Sequence, residues 1–129
     1  MTRVCMDTNV YIALVKGKSE VLDLIESAQQ VFVPIAVIGE LLAGFKLGSK
    51  EKKNRKTFDD FLEMSTIKVV PISRETAEIF AEIKSDLSRR GKPIPINDIW
   101  IAAQTIETGS VLMTYDRHFQ HVTGLRLWK

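Results

Sequence analysis

The stretch Val4-Cys5-Met6-Asp7-Thr8-Asn9 sets three apolar residues directly against a polar triplet. Consecutive apolar residues without alternation read as a short strand buried on both faces, as strands of a parallel sheet are. Working outward, similar strands recur. Val31-Phe32-Val33 is strand-like and closed by Pro34, 67–72 is strand-like with Pro71 near its end, and Val111-Leu112-Met113-Thr114 is a buried-type strand. A last strand is expected within 125–128.

Helical spacing fills the gaps. Ser19 is placed to cap a helix carrying Val21, Leu22, Leu24, Ile25 and Ala28. Val37, Ile38, Leu41, Leu42 and Phe45 form one stripe that Gly48 interrupts, and the next segment runs into Phe58, Phe61 and Leu62. Ser73 is a good N-cap for a helix whose core face is Ala77, Phe80, Ile83 and Leu87, with Gly91 placed to stop it. After the stiff loop Lys92-Pro93-Ile94-Pro95-Ile96, Asn97 opens a helix with Ile99, Ala102, Ala103 and Ile106 inward, ended by Gly109. Strands alternating with helices predict an α/β fold with a mainly parallel central sheet flanked by helices. The 129 residues fit a single domain, 1–129, without repeat or linker.

Bulk properties exclude several classes. No apolar run reaches the length of a membrane span, and Met1-Thr2-Arg3 does not begin a signal peptide, so a cytoplasmic protein is expected. The single Cys5 allows no internal disulfide and reads as a small buried hydrophobe. The net charge of +2 does not by itself argue for nucleic acid. Two basic stretches, Lys46, Lys50, Lys52, Lys53, Arg55 and Lys56, then Lys84, Arg89, Arg90 and Lys92, read on charge alone as solvated faces or loops.

The acids are placed more tellingly. Asp7 directly follows the first strand and Asp116 lies just beyond the one ending at Thr114. In a parallel sheet the carboxyl ends share one edge, where ligands bind. Glu40 interrupts an apolar helix and falls on a flank of small residues, Ala36, Gly39, Ala43 and Gly44. It either faces solvent or has a compensating cation, because burying a bare charge is very costly. Asp98 reads on its own as a helix-start residue, which the helix dipole favours.

Met6-Asp7-Thr8-Asn9, Glu40, Asn97-Asp98-Ile99-Trp100-Ile101-Ala102-Ala103 and Thr114-Tyr115-Asp116-Arg117-His118-Phe119 together resemble the PIN-domain ribonucleases, and more narrowly the VapC toxins of toxin–antitoxin pairs. The resemblance runs in order along essentially the whole chain. It implies that Asp7, Glu40, Asp98 and Asp116 hold divalent metal, with Thr8, Asn9 and Thr114 in support. It implies RNA hydrolysis, a VapB-like antitoxin, homodimers and larger assemblies with the antitoxin.

Oxygen ligands without a Cys/His pattern favour Mg²⁺, with Mn²⁺ as the other candidate. Glu40 would either ligate or orient the attacking water. Thr114 and Asn9 would hydrogen-bond the ligands. Lys46, Lys50, Lys52, Lys53 and Arg117 are candidate RNA contacts, and Arg117 and Arg126 are the candidates nearer the site. His118 and His121 are read as a surface pair or RNA contacts rather than metal ligands. Trp100 lies off the inward helix face and is expected to be partly buried. The rivals are a phosphoacceptor receiver domain, a non-catalytic interaction module, and an RNA-processing or DNA-cleaving PIN nuclease. A receiver would need an acidic pair after the first strand, where this chain has one acid followed by Thr8 and Asn9.

Overall fold

The computed structural model describes residues 2–128, so the expected domain bounds, 1 and 129, lie outside the described residues. Its strands are β1 (Arg3–Met6), β2 (Gln30–Pro34), β3 (Ile67–Val70), β4 (Val111–Met113) and β5 (Arg126–Leu127). Its helices are α1 (Thr8–Val15), α2 (Ser19–Ser27), α3 (Ile35–Leu47), α4 (Glu51–Leu62), α5 (Arg74–Arg89) and α6 (Ile96–Glu107), with a 3₁₀ turn at Arg117–His121. Every strand pairing is parallel and the sheet order is β3-β2-β1-β4-β5.

The order explains where a site can form. The chain leaves β1, moves outward to β2 and β3, then returns past β1 to lay down β4 and β5. Winding therefore reverses between β1 and β4, and the connections diverge beyond their carboxyl ends. Such a switch point opens a crevice at that edge of the sheet. β1 is central, and Val4, Cys5 and Met6 are completely buried, as an unalternating apolar run requires. Burial also pushes the Cys5 thiol up to about 12.

Local boundaries depart from the sequence reading in several places; β4 stops at Met113, short of Thr114, and β2 runs through Pro34. Ser19 is the first helical residue of α2 rather than its cap; extended Lys18 takes the cap position, and its side chain accepts no bond from the first turn. β3 stops at Val70 and does not reach Ile72: Pro71 has no N–H for a ladder, and buried Gln104 Nε2 donates to the Val70 carbonyl at 2.6 Å. α6 starts at Ile96, one residue early, with Pro95 at its cap. β5 is confined to two residues, and Trp128 adds one backbone bond to Leu112 at 2.9 Å.

Helix α1 carries no periodic signal, since it is apolar around most of its circumference. Tyr11 packs on Phe58 and Phe61 with ring centroids 5.0 and 5.3 Å away, while Ile12 and Val15 stay exposed. The Ser73 cap forms as expected, as a capping box with Thr76. Trp100 is partly buried as expected, stacked on Phe80 at 4.0 Å. Among the described residues, no helix is long and apolar enough to cross a membrane.

Candidate active site

Asp7 is the first residue beyond β1, and its N–H still pairs with the Met113 carbonyl of β4 at 3.0 Å. That bond places its side chain in the crevice between the two strand ends. The carboxylate is almost fully buried. Oδ1 accepts from the Thr8 N–H at 2.8 Å and Oδ2 from the Thr114 hydroxyl at 2.6 Å. The Asp116 N–H donates in turn to Thr114 Oγ1 at 3.0 Å, so one hydroxyl joins two acidic positions. Burial raises Asp7 from 3.8 to about 6; the two hydrogen bonds oppose the rise, and the charges of Asp98 and Asp116 add to it.

Asp98 comes from the first turn of α6, and Asp116 from the bend before the 3₁₀ turn. His118 Nε2 lies 2.5 Å from Asp98 Oδ2. Burial raises Asp98 also, against the lowering effect of His118, with Glu40 and Asp116 adding their charge. Asp98, Asp116 and His118 each bring one potential ligand atom within 4.8 Å of the others. Glu40, half-buried on α3, accepts from Thr8 Oγ1 at 2.6 Å. The fold thus brings all four sequence-selected acids to one edge of the sheet.

The supporting residues divide differently from the sequence reading. Thr114 does bond an acid. Thr8 supports two, Asp7 through its backbone and Glu40 through its hydroxyl. Asn9 bonds none of the acids among the described residues, and its Oδ1 is buried without a protein partner there. His118, read as a surface or RNA-contact residue, belongs to the cluster. Its signal was its position two residues after Asp116, in a turn that folds it back toward α6.

The cations also sort by place. Arg126 sits at the start of β5 opposite Val111, and its Nη2 donates to the Gly109 carbonyl at 2.8 Å. It therefore lies at the amino ends of the strands, away from the acids, which corrects its placement near the site. Lys46 and Arg55 pair with Glu51, and Lys56 with Asp60. Lys52 and Arg117 are exposed. Lys50 and Lys53 rim a groove of about 350 Å³ whose lining includes Tyr11, Ile12, Val15 and Phe45.

Residues 4–125 match the model of the PIN domain family. The chain belongs to the PIN-domain family. Ribonuclease VapC2 of Haemophilus influenzae is 32% identical over 129 residues, covering 98% of this chain and 96% of that protein. The tRNA(fMet)-specific endonuclease VapC of Shigella flexneri is 26% identical, with the same coverage. A structure of VapBC-1 from nontypeable Haemophilus influenzae superposes with a TM-score of 0.88 at 20% identity, covering 99% of this chain and 98% of that one. Within the PIN domains this chain is therefore a VapC-type ribonuclease. The receiver alternative falls with that assignment.

Proposed function

We propose that this PIN domain, taken as one domain over 1–129, is the toxin of a toxin–antitoxin pair and hydrolyses RNA phosphodiesters with a divalent cation held by Asp7, Asp98 and Asp116. The observation that carries the reading is the cluster itself. Acids from the ends of β1 and β4 and the start of α6 lie close enough to raise one another's proton affinity. A bound cation offsets such crowding at neutral pH. The donor set is oxygen-rich, which suits Mg²⁺ or Mn²⁺.

A divalent cation held by Asp7, Asp98 and Asp116 would supply positive charge to offset the carboxylates and would lower the pKa of a water for attack on a phosphodiester. The chain's residues set the geometry. Thr114 and the Thr8 N–H lock both Asp7 oxygens. Thr8 holds Glu40 at Oε1, and the other oxygen is assigned to orient the attacking water. Arg117, beside Asp116, and the lysines Lys46, Lys50, Lys52 and Lys53 contact flanking phosphates.

The groove rimmed by Lys16, Lys50 and Lys53 over Ile12, Val15 and Phe45 suits an amphipathic, acidic segment, and we assign it to a VapB-like antitoxin. The proposal includes homodimers, larger assemblies with that antitoxin, and a cytoplasmic location.

The test is cleavage of total RNA with Mg²⁺ or Mn²⁺, repeated with EDTA and with Asp98→Asn. Cleavage is expected only in the first condition, and undiminished cleavage in either control overturns the reading.

A further inference from the structure

We propose that His118 is a positioning residue that fixes the Asp98 carboxylate for cation binding. This rests on the cation site proposed above. Asp98 has two oxygens and needs one of them turned toward Asp7 and Asp116. His118 Nε2 meets Oδ2 at 2.5 Å, and an ionised carboxylate only accepts, so the proton of this bond sits on Nε2. With Oδ2 engaged, Oδ1 is the oxygen left for the cation. Hydrogen bonds to a ligating carboxylate orient it, and their loss typically weakens metal affinity by about 10–100-fold.

The backbone that follows His118 is held at two points, which suits this role. Phe119 is completely buried and anchors the 3₁₀ turn to the core. Arg90, at the end of α5, donates through Nη2 to the His121 carbonyl at 2.5 Å and to Asp86 at 2.7 Å. The His118 ring lies 5.0 Å from the Phe119 ring, centroid to centroid. Its side chain is 35% exposed, so it is directed at Asp98 by its anchors rather than enclosed.

The experiment titrates the full chain with Mn²⁺ alone, at one fixed pH, by electron paramagnetic resonance. His118→Leu removes the donor. His118→Gln restores an amide nitrogen at the same number of bonds from the backbone. We expect about tenfold weaker binding for His118→Leu, affinity recovered to within about threefold for His118→Gln, and thermal melting of both close to that of the parent. Affinity for His118→Leu within twofold of the parent overturns the proposal. Tighter binding overturns it too, since His118 would then compete with the cation. A nitrogen hyperfine coupling seen in the parent and lost in His118→Leu overturns positioning in favour of direct ligation. Asp98→Asn is run beside them: if it also binds Mn²⁺ as the parent does, the cation site itself fails, a result distinct from failure at His118 alone.

Discussion

The Thr114 hydroxyl donates to Asp7 Oδ2 at 2.6 Å, joining the end of β4 to the end of β1. The bond favours the ionised form of an acid that burial pushes the other way. Thr114→Val is therefore expected to raise Asp7 above about 6. Proton and cation would then compete over a wider range. The pH–rate profile for RNA cleavage should shift upward, with a loss of about tenfold at pH 7. An unshifted profile would remove Thr114 from this role.

Asp7 also links stability to pH. The folded chain binds this proton more tightly than the unfolded chain does. Stability falls as pH rises from 3.8 to about 6, and stays at its lower level above that window. Asp7→Asn removes the cost and is expected to stabilise the cation-free protein at pH 7 by about 1–3 kcal/mol. Urea melts in EDTA at pH 4 and pH 7 check this, because the gain should shrink at the lower pH. Excess Mg²⁺ should raise the melting temperature of the parent more than that of Asp7→Asn.

Phe80 and Trp100 stack at 4.0 Å and join α5 to the helix that carries Asp98. Trp100→Ala is expected to cost about 2–3 kcal/mol of folding stability. At a temperature where the variant is folded, its Mn²⁺ affinity should stay near the parent's. A large affinity loss without destabilisation would assign Trp100 to the site instead.

Arginines at opposite ends of the sheet give a paired test of RNA contact. Arg126→Gln should leave cleavage within about twofold, because Arg126 bonds the Gly109 carbonyl at the far edge. Arg117→Gln should weaken RNA binding and flatten its salt dependence. Equal effects from both would refute the assignment of Arg117 as the contact nearer the acids.

Much of this was legible in the sequence, for identifiable reasons. Buried parallel strands leave runs such as Val4-Cys5-Met6, and the acids beyond β1 and β4, Asp7 and Asp116, fall at the carboxyl edge because the strands are parallel. Amphipathic helices such as α5 leave a period. Helix α1 left none, since Tyr11 faces the core while Ile12 and Val15 face outward. The span of β3 was overread because its last carbonyl is taken by Gln104, a bond across 34 residues that no local pattern encodes. His118 was missed for the same kind of reason: a five-residue 3₁₀ turn carries it back to Asp98, twenty residues earlier. Asp98 looked like a helix-start residue, and only its contact with His118 and the crowding of Glu40 and Asp116 distinguish it from one.

The pairing of β1 with β4 has a consequence for synthesis. Asp7 and Thr114 are 107 residues apart, and Asp98, Asp116 and His118 all follow β3. Translation delivers Asp7 and Glu40 early, and Asp98, Asp116 and His118 only after β3. A growing polypeptide that has completed β3 carries Asp7 and Glu40, without the Asp98, Asp116 and His118 that complete the cluster. The acid cluster is thereby completed only when Asp116 and His118 have joined the chain and the 3₁₀ turn has folded back onto α6.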